Sequence, residues 1–307
     1  MSATVPLRRL SAVWIQVTGT WCNLRCTHCL NASGPRDPWL QPMAAADVER
    51  QVEDAARLGA REVYFTGGEP FLHPRMLHLL AFALERLPTT VLTNGTLVTE
   101  RVADRLAALA AGARYSLEVR VSLDHPDREA NDRVRGRGAF DRALRALVRL
   151  DRRGLPAILT ATEIGASEKL YEGLRRLLLD AGVTKPRIKI LPVFPVGRVA
   201  DRSLPPDATD LEGFDLGRLQ CADSRAVTAD GVYACPILAG LPEARRIAFS
   251  GDSRRATVYA AELAPERMLA ALAEAGAPDC RVASQLAPEA VAELMAAPGE
   301  RFRPIGR

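Results

Sequence analysis

The feature of this sequence that most restricts its fold is a regular alternation of strand patterns and helix patterns. Six short apolar runs fit strands, at residues 13–17, 62–65, 90–92, 117–123, 157–162 and 187–191. Between them lie runs with helical spacing, at residues 44–58, 74–87, 99–111, 139–153 and 167–181. Strands that alternate with helices pair in parallel through crossover connections, which predicts an α/β fold. Six strands are too few for a closed eightfold barrel, so we expect an open, partial (β/α)6 barrel.

The chain changes character after the sixth strand pattern. Residues 192–206 are rich in Pro, Gly and Arg, which is typical of a linker. A hairpin signal at residues 229–231 follows, and helical patterns lie near residues 264–273 and 288–296. We therefore predict two domains, a partial barrel over residues 1–195 and a small C-terminal α+β domain over residues 196–307.

The composition of the chain limits which binding partners and which cellular compartment we expect for it. The net charge is only +4 and no basic stripe with interleaved aromatic residues occurs, so we expect no nucleic-acid partner. No apolar run has membrane-spanning length and no signal-peptide pattern follows the N-terminus, so we expect a cytoplasmic protein without a membrane partner. Six cysteines in 307 residues do not suggest a disulfide scaffold, and clustered cysteines in a reducing compartment are typical of metal or redox sites.

Three cysteines lie close together in the loop after the first predicted strand, at Cys22, Cys26 and Cys29. Three thiolates can bind three irons of a 4Fe–4S cluster and leave the fourth iron open to a chelating ligand. The alternative is a structural zinc site, which needs four closed ligands. His28 is the nearest fourth ligand, but between two cysteines its side chain is expected to point away from the metal. The pattern therefore favours the iron–sulfur cluster.

The Cys-x3-Cys-x2-Cys spacing resembles the signature of the radical S-adenosylmethionine (SAM) superfamily, and the resemblance extends over residues 11–195. The residues whose positions match cofactor-binding positions of that family are His28, Gly67, Gly68, Glu69, Pro70, Asn94, Ser122, Asp124, Arg135 and Leu191. The resemblance implies that His28 lies against the adenine of SAM and that Glu69 accepts a hydrogen bond from its ammonium group. It also implies ribose contacts around Ser122 and Asp124, and an ion pair between Arg135 and the SAM carboxylate.

The resemblance implies the cofactors and the chemistry as well. Members of the family use one electron from a 4Fe–4S cluster to cleave SAM to methionine and a 5′-deoxyadenosyl radical, which abstracts a hydrogen atom from the substrate. An external electron donor such as flavodoxin or ferredoxin is expected as a partner. Arg198 resembles part of a Gly-Arg element after the sixth strand of related enzymes, where it faces the substrate or SAM.

The other three cysteines, Cys221, Cys235 and Cys280, all lie in the C-terminal third. Their spacing resembles that of the twitch domain, a shortened relative of the SPASM domain that binds an auxiliary 4Fe–4S cluster. Only three thiolates are present, so the fourth position of such a cluster would be taken by another ligand. The alternative is three unrelated buried cysteines, because free cysteine is often buried as a small apolar residue.

The sequence does not identify the substrate, and no catalytic residue beyond the cofactor site is predicted. By resemblance in overall plan to aminocyclitol dehydrogenases of antibiotic biosynthesis, the first hypothesis is a small polar metabolite, an aminocyclitol or aminosugar, oxidised at an alcohol carbon. An aminoglycoside epimerase and a peptide maturase are the alternative enzymes. A non-enzymatic iron–sulfur or zinc scaffold is the remaining alternative, and the ordered SAM motifs argue against it.

Overall fold

The structure is a computed structural model that describes residues 9–36, 38–163, 169–192, 197–199, 222–233, 236 and 239. Six parallel strands pair in chain order: β1 (Ala12–Gln16), β2 (Glu62–Thr66), β3 (Thr89–Thr93), β4 (Leu117–Ser122), β5 (Ala157–Glu163) and β6 (Arg187–Pro192). The helices are α1 (Ala45–Arg57), α2 (Met76–Leu84), α3 (Glu100–Gly112), α4 (Arg128–Arg135), α5 (Ala139–Asp151) and α6 (Leu170–Asp180). This architecture confirms the predicted α/β fold with a partial (β/α)6 barrel.

Alternation of side chains along the strands separates two faces of the sheet. Val13 and Ile15 of β1, and Val63 and Phe65 of β2, are fully buried in one apolar core with residues from the helices. The residues between them, Trp14 and Tyr64, stack on each other with ring centroids 4.0 Å apart and lie outside that core. Because successive side chains of a strand point to opposite faces, one face of the sheet packs against helices and the alternating residues lie on the other face.

A hairpin from the predicted C-terminal domain belongs to the same sheet. Strand β7 (Ser224–Thr228) pairs in parallel with β1, and β8 (Gly231–Tyr233) pairs antiparallel with β7. The hairpin predicted at residues 229–231 is thus confirmed, but it extends the barrel sheet beyond β1. The division into two domains stays a prediction, because the helical patterns at 264–273 and 288–296 lie outside the described residues.

Helix α4 is an element that the sequence analysis did not predict. Its sequence is strongly charged and has no apolar stripe, so hydrophobic periodicity gives no signal there. The sequence does, however, contain residues that are typical of the start and the end of a helix. The Asp127 carboxylate accepts a hydrogen bond from the Ala130 N–H at 2.8 Å as an N-cap, and the helix ends at Gly136.

No helix within the described ranges combines the length and the apolar character that a membrane span requires.

Candidate active site

All but Leu191 of the predicted site residues that the structure describes lie where strands β1 to β4 end or in α4, and Leu191 lies on β6. In a parallel sheet all strand C-termini lie at one edge, and the loops that follow them form a common surface there. The cysteine loop follows β1, the segment at residues 67–70 follows β2, and Asn94, Asp124 and Glu163 follow or end β3, β4 and β5. Hydrogen bonds between these loops, given below, join them into one site.

The three cysteines of the first loop are free thiols, and backbone N–H groups lie within hydrogen-bond distance of two of their sulfur atoms. Cys22 is buried, whereas Cys26 and Cys29 are partly buried. The Leu24 N–H lies 3.4 Å from the Cys22 sulfur and the Ser33 N–H lies 3.3 Å from the Cys29 sulfur. Hydrogen bonds to sulfur are one of the means by which proteins stabilise iron–sulfur clusters, so this loop fits such a group.

Protonation of the thiols follows from their burial. Burial raises the pKa of Cys22 to about 12 and also raises the pKa of Cys26. Among the described residues, no group of three or more His, Cys, Asp and Glu side chains already surrounds a single metal position. A 4Fe–4S cluster binds each thiolate to a different iron, so its ligands need not converge on one point. Three thiolates in one loop are therefore a donor set that a 4Fe–4S cluster can use.

The glycine-rich segment after β2 packs directly against the cysteine loop. The Glu69 N–H donates a hydrogen bond to the Trp21 carbonyl at 3.0 Å. A Cβ atom at Gly68 would overlap the same carbonyl oxygen and would lie 2.8 Å from the backbone nitrogen of Cys22. Only glycine permits this approach of the two backbones. In the structure, the missing side chain of Gly68 therefore makes room for the cysteine loop.

Glu69 is a fully buried carboxylate in a network of hydrogen bonds. Its Oε1 accepts from the Thr93 hydroxyl at 2.7 Å and from the Phe71 N–H at 3.1 Å, and its Oε2 accepts from the Asn94 N–H at 2.7 Å. Burial raises its pKa to about 7, although these hydrogen bonds favour the ionised form. A carboxylate has about four acceptor positions, so one remains on Oε2. The contact of Glu69 with the SAM ammonium stays a prediction.

Asn94 connects this network to the cysteines. Its side-chain amide donates to the Asn23 side chain at 2.9 Å and lies 3.7 Å from the Cys22 sulfur. The amide oxygen accepts from the Thr96 N–H at 2.9 Å. Asn94 therefore holds the loop after β3 against the start of the cysteine loop.

Asp124 contacts three elements at once. Its Oδ2 lies 2.6 Å from Arg135 Nε and 2.9 Å from His28 Nε2, and its Oδ1 accepts from Arg135 Nη2 and the Thr162 N–H, each at 2.8 Å. Burial disfavours ionisation of Asp124, but Arg135 and His28 outweigh it and hold the pKa of this carboxyl well below its usual range. Asp124 thus joins the cysteine loop, α4 and β5 through one buried anion.

These contacts bear on the roles that the resemblance implies. Arg135 and Asp124 pair with each other, and each Asp124 oxygen already has two partners, so the predicted contacts of these two residues with SAM stay predictions. His28 has one ring nitrogen on Asp124, and the other is buried without a hydrogen-bond partner among the described residues. Ser122 is partly exposed at the end of β4, and Leu191 lies opposite Thr162 on β6.

The auxiliary cysteines Cys221, Cys235 and Cys280 lie outside the described residues. Three residues that complete the site are not among the predicted site residues: Thr93, Asn131 and Thr162. The Asn131 side chain accepts a hydrogen bond from the Asp124 N–H at 3.0 Å. The position of Thr93 beside Asn94 was the only local signal, because the other two act through contacts between separate elements.

Comparison with known proteins gives a family match and several relatives. Residues 17–167 match the family model described as the Radical SAM superfamily. The mycofactocin maturase MftC of Mycobacterium tuberculosis (strain ATCC 25618 / H37Rv) is 37% identical over 139 residues, which are 45% of this chain and 34% of the relative. The GTP 3′,8-cyclase of Rhodococcus opacus is 34% identical over 182 residues, which are 56% of this chain and 49% of the relative. The chain thus spans between a third and a half of these relatives.

Solved structures of similar fold cover more of the chain. Streptococcus suis SuiB bound to the precursor peptide SuiA has a TM-score of 0.63 at 19% identity, covering 80% of this chain and 64% of SuiB. Native anSMEcpe with bound AdoMet has a TM-score of 0.63 at 16% identity, covering 95% of each chain. At this level of identity the likeness establishes the fold.

Proposed function

Because residues 17–167 form a domain of the radical SAM superfamily, we propose that the chain is a radical SAM enzyme whose Cys22, Cys26 and Cys29 ligate a 4Fe–4S cluster. The observation that carries the proposal is the packing of this loop, with its three free thiols, against the buried Glu69 and Asp124 networks at the C-terminal edge of a parallel sheet. When bound, the cluster and SAM supply reductive cleavage of SAM to methionine and a 5′-deoxyadenosyl radical that abstracts a hydrogen atom from substrate.

The residues of the chain have distinct tasks in this proposal. The thiols of Cys22 and Cys26 must lose their protons before they bind iron, and their raised pKa values make cluster assembly more favourable at higher pH. The Nδ1 nitrogen of His28, which is buried without a hydrogen-bond partner among the described residues, and the remaining acceptor position of Glu69 are polar groups that could receive SAM. The electron comes from an external donor such as flavodoxin or ferredoxin.

For the substrate we infer a peptide side chain as the first candidate. Two observations support it: one similar protein is named a maturase, and similar folds have been solved with a bound peptide, as in SuiB with SuiA and anSMEcpe with the Kp18Cys peptide. The aminocyclitol that the sequence analysis put first draws no support from these relatives. It becomes the second arm of the test, together with epimerisation of an aminoglycoside.

The test is formation of 5′-deoxyadenosine. Protein reconstituted with iron and sulfide without oxygen is given SAM and dithionite, with a set of synthetic peptides in one arm and a set of aminocyclitols and aminoglycosides in the other. Wild type is expected to form 5′-deoxyadenosine and a Cys22/Cys26/Cys29 triple alanine variant is expected to form none. Failure of wild type to cleave SAM, with its cluster verified by absorbance, would reject the proposal. The arm that raises the yield identifies the substrate class.

An auxiliary cluster on Cys221, Cys235 and Cys280 is proposed on the resemblance alone. The iron and sulfide content of the reconstituted protein tests this proposal. It is measured for the Cys22/Cys26/Cys29 triple alanine variant and for a Cys221/Cys235/Cys280 triple alanine variant, each of which is the control for the other. With two clusters, each variant loses half of the bound iron. If the variant of the C-terminal cysteines keeps all of the iron, the auxiliary cluster does not exist.

A further inference from the structure

Arg198 follows strand β6 and forms hydrogen bonds with the cysteine loop. Its Nη1 donates to the Cys26 carbonyl at 2.7 Å, and its Nη2 donates to the Ala32 carbonyl at 2.9 Å and to the Ser33 carbonyl. Its own backbone N–H donates to the Cys29 carbonyl at 3.1 Å. One residue thus binds four carbonyls of the segment that carries two of the three cysteines. The side chain points into this loop, not toward a substrate as the resemblance suggested.

The backbone around Arg198 is shaped for this contact. Gly197 has a φ of +63°, and a Cβ atom there would overlap the carbonyl oxygens of Cys29 and Leu30. Gly34 lies beside the guanidinium, where a Cβ would be in ordinary van der Waals contact with Nη2 of Arg198, at 3.5 Å. The segment after β6 and the cysteine loop therefore fit together through both backbone and side chain.

The chemistry of the side chain explains why arginine occupies this position. A planar guanidinium presents five N–H donors in a fixed fork and can bind several carbonyls whose directions differ. Lysine offers a point charge without that fork. By donating to three carbonyls at once, the guanidinium favours the conformation of the loop in which these carbonyls face it.

We propose that Arg198 is a positioning residue for the iron–sulfur cluster, which holds residues 26–33 in the shape that lets Cys26 and Cys29 ligate one cluster. This inference rests on the proposed function. Outer partners of metal ligands, when removed, typically weaken metal binding about 10- to 100-fold. The positive charge beside the thiolates also favours the more negative, reduced state of a cluster.

The experiment compares two substitutions that remove the same charge from the same region. Arg198→Gln removes the guanidinium that binds the carbonyls of Cys26, Ala32 and Ser33. Arg25→Gln removes an exposed arginine of the cysteine loop that makes no hydrogen bond or ion pair within the described residues. Reconstituted proteins are mixed with a ferrous chelator without oxygen and iron release is followed. We expect release about 10- to 100-fold faster than wild type for Arg198→Gln, the wild-type rate for Arg25→Gln, and an intermediate rate for Arg198→Lys.

Two further readouts separate positioning from general stability. Millimolar guanidinium added to Arg198→Ala is expected to slow iron release, and the midpoint potential of Arg198→Gln is expected to be lower than that of Arg25→Gln. Equal iron release by Arg198→Gln and Arg25→Gln overturns the inference. The inference is also overturned if metal-free Arg198→Gln has a lower melting temperature than wild type but its folded, reconstituted form releases iron at the wild-type rate. A wild-type protein that retains no iron instead rejects the proposed function, and this inference with it.

Discussion

At the scale of single residues, the site depends on buried charges that the protein itself neutralises. Asp124 is 4% exposed and Arg135 is 8% exposed, and they form two direct contacts with each other. An ion buried to this degree is tolerated only when it is paired and hydrogen-bonded. The pair therefore sets the position of α4 and of His28 before any ligand is bound.

Asp124→Asn is expected to destabilise the metal-free protein by roughly 3–5 kcal/mol, because it leaves the Arg135 guanidinium buried without a counter-charge. The matched control is Asp141→Asn, which breaks the exposed ion pair with Arg128 and should cost less than about 1 kcal/mol. Urea unfolding of the two variants measures both values. Equal costs would show that the buried pair does not stabilise the fold.

The second prediction concerns the pH dependence of the folding stability, which Glu69 is expected to change. Its pKa in the folded protein is raised from 4.5 to about 7 by burial. The folded state then holds a proton that the unfolded state has lost, so stability falls as pH rises between 4.5 and 7. Above that window this loss amounts to roughly 3 kcal/mol. Glu69→Gln removes the titrating group.

The stability difference between wild type and Glu69→Gln should therefore shift against wild type as pH rises through this window, in denaturant unfolding of the metal-free protein. Glu85→Gln, at an exposed position after α2, is the control for which the curves should stay parallel. A wild-type curve that stays parallel to that of Glu69→Gln would mean that Glu69 does not titrate in this range.

At the scale of elements, the loops at the sheet edge position one another. The segment after β2 has no side chain at Gly68, and the cysteine loop occupies the space that a side chain would need. Such a contact leaves little free volume for either loop to move, because protein interiors are packed as densely as organic crystals. A change in one loop is therefore transmitted to the other.

Gly68→Ala tests this coupling. The added methyl group overlaps the Trp21 carbonyl, so the two loops must separate, at a cost of roughly 1–3 kcal/mol and with loss of iron on reconstitution. Gly112→Ala, at the end of α3, meets no atom within 4 Å and should leave stability and iron content unchanged or slightly improved. Calorimetry and iron analysis check the pair. Full iron content in Gly68→Ala would contradict the coupling.

At the scale of the whole molecule, the hairpin of β7 and β8 completes the sheet beyond β1. Val227 and Val232 of the hairpin are buried in the same core as β1 and β2. Without the hairpin, β1 becomes an edge strand with unpaired backbone groups, and such edges are sites of aggregation.

Residues 1–195 alone are therefore expected to aggregate on refolding, whereas residues 1–239, which keep the hairpin, are expected to remain dispersed. Light scattering at equal protein concentration measures the difference. If residues 1–195 refold without aggregation, the predicted domain boundary at residue 195 is supported and the hairpin is dispensable for the barrel.

Local patterns in the sequence determined the six parallel strands and five of the six helices between residues 12 and 192. Strand ends were predicted to within one residue because polar, glycine or proline residues bound most of the apolar runs, and the three cysteines lie within one loop. Only the tertiary structure decided the pairing of Asp124 with Arg135, the place of the hairpin beside β1, and the contact of Arg198 with Cys26, 172 residues away. Such contacts join elements through the fold, and no local periodicity encodes which distant groups will meet.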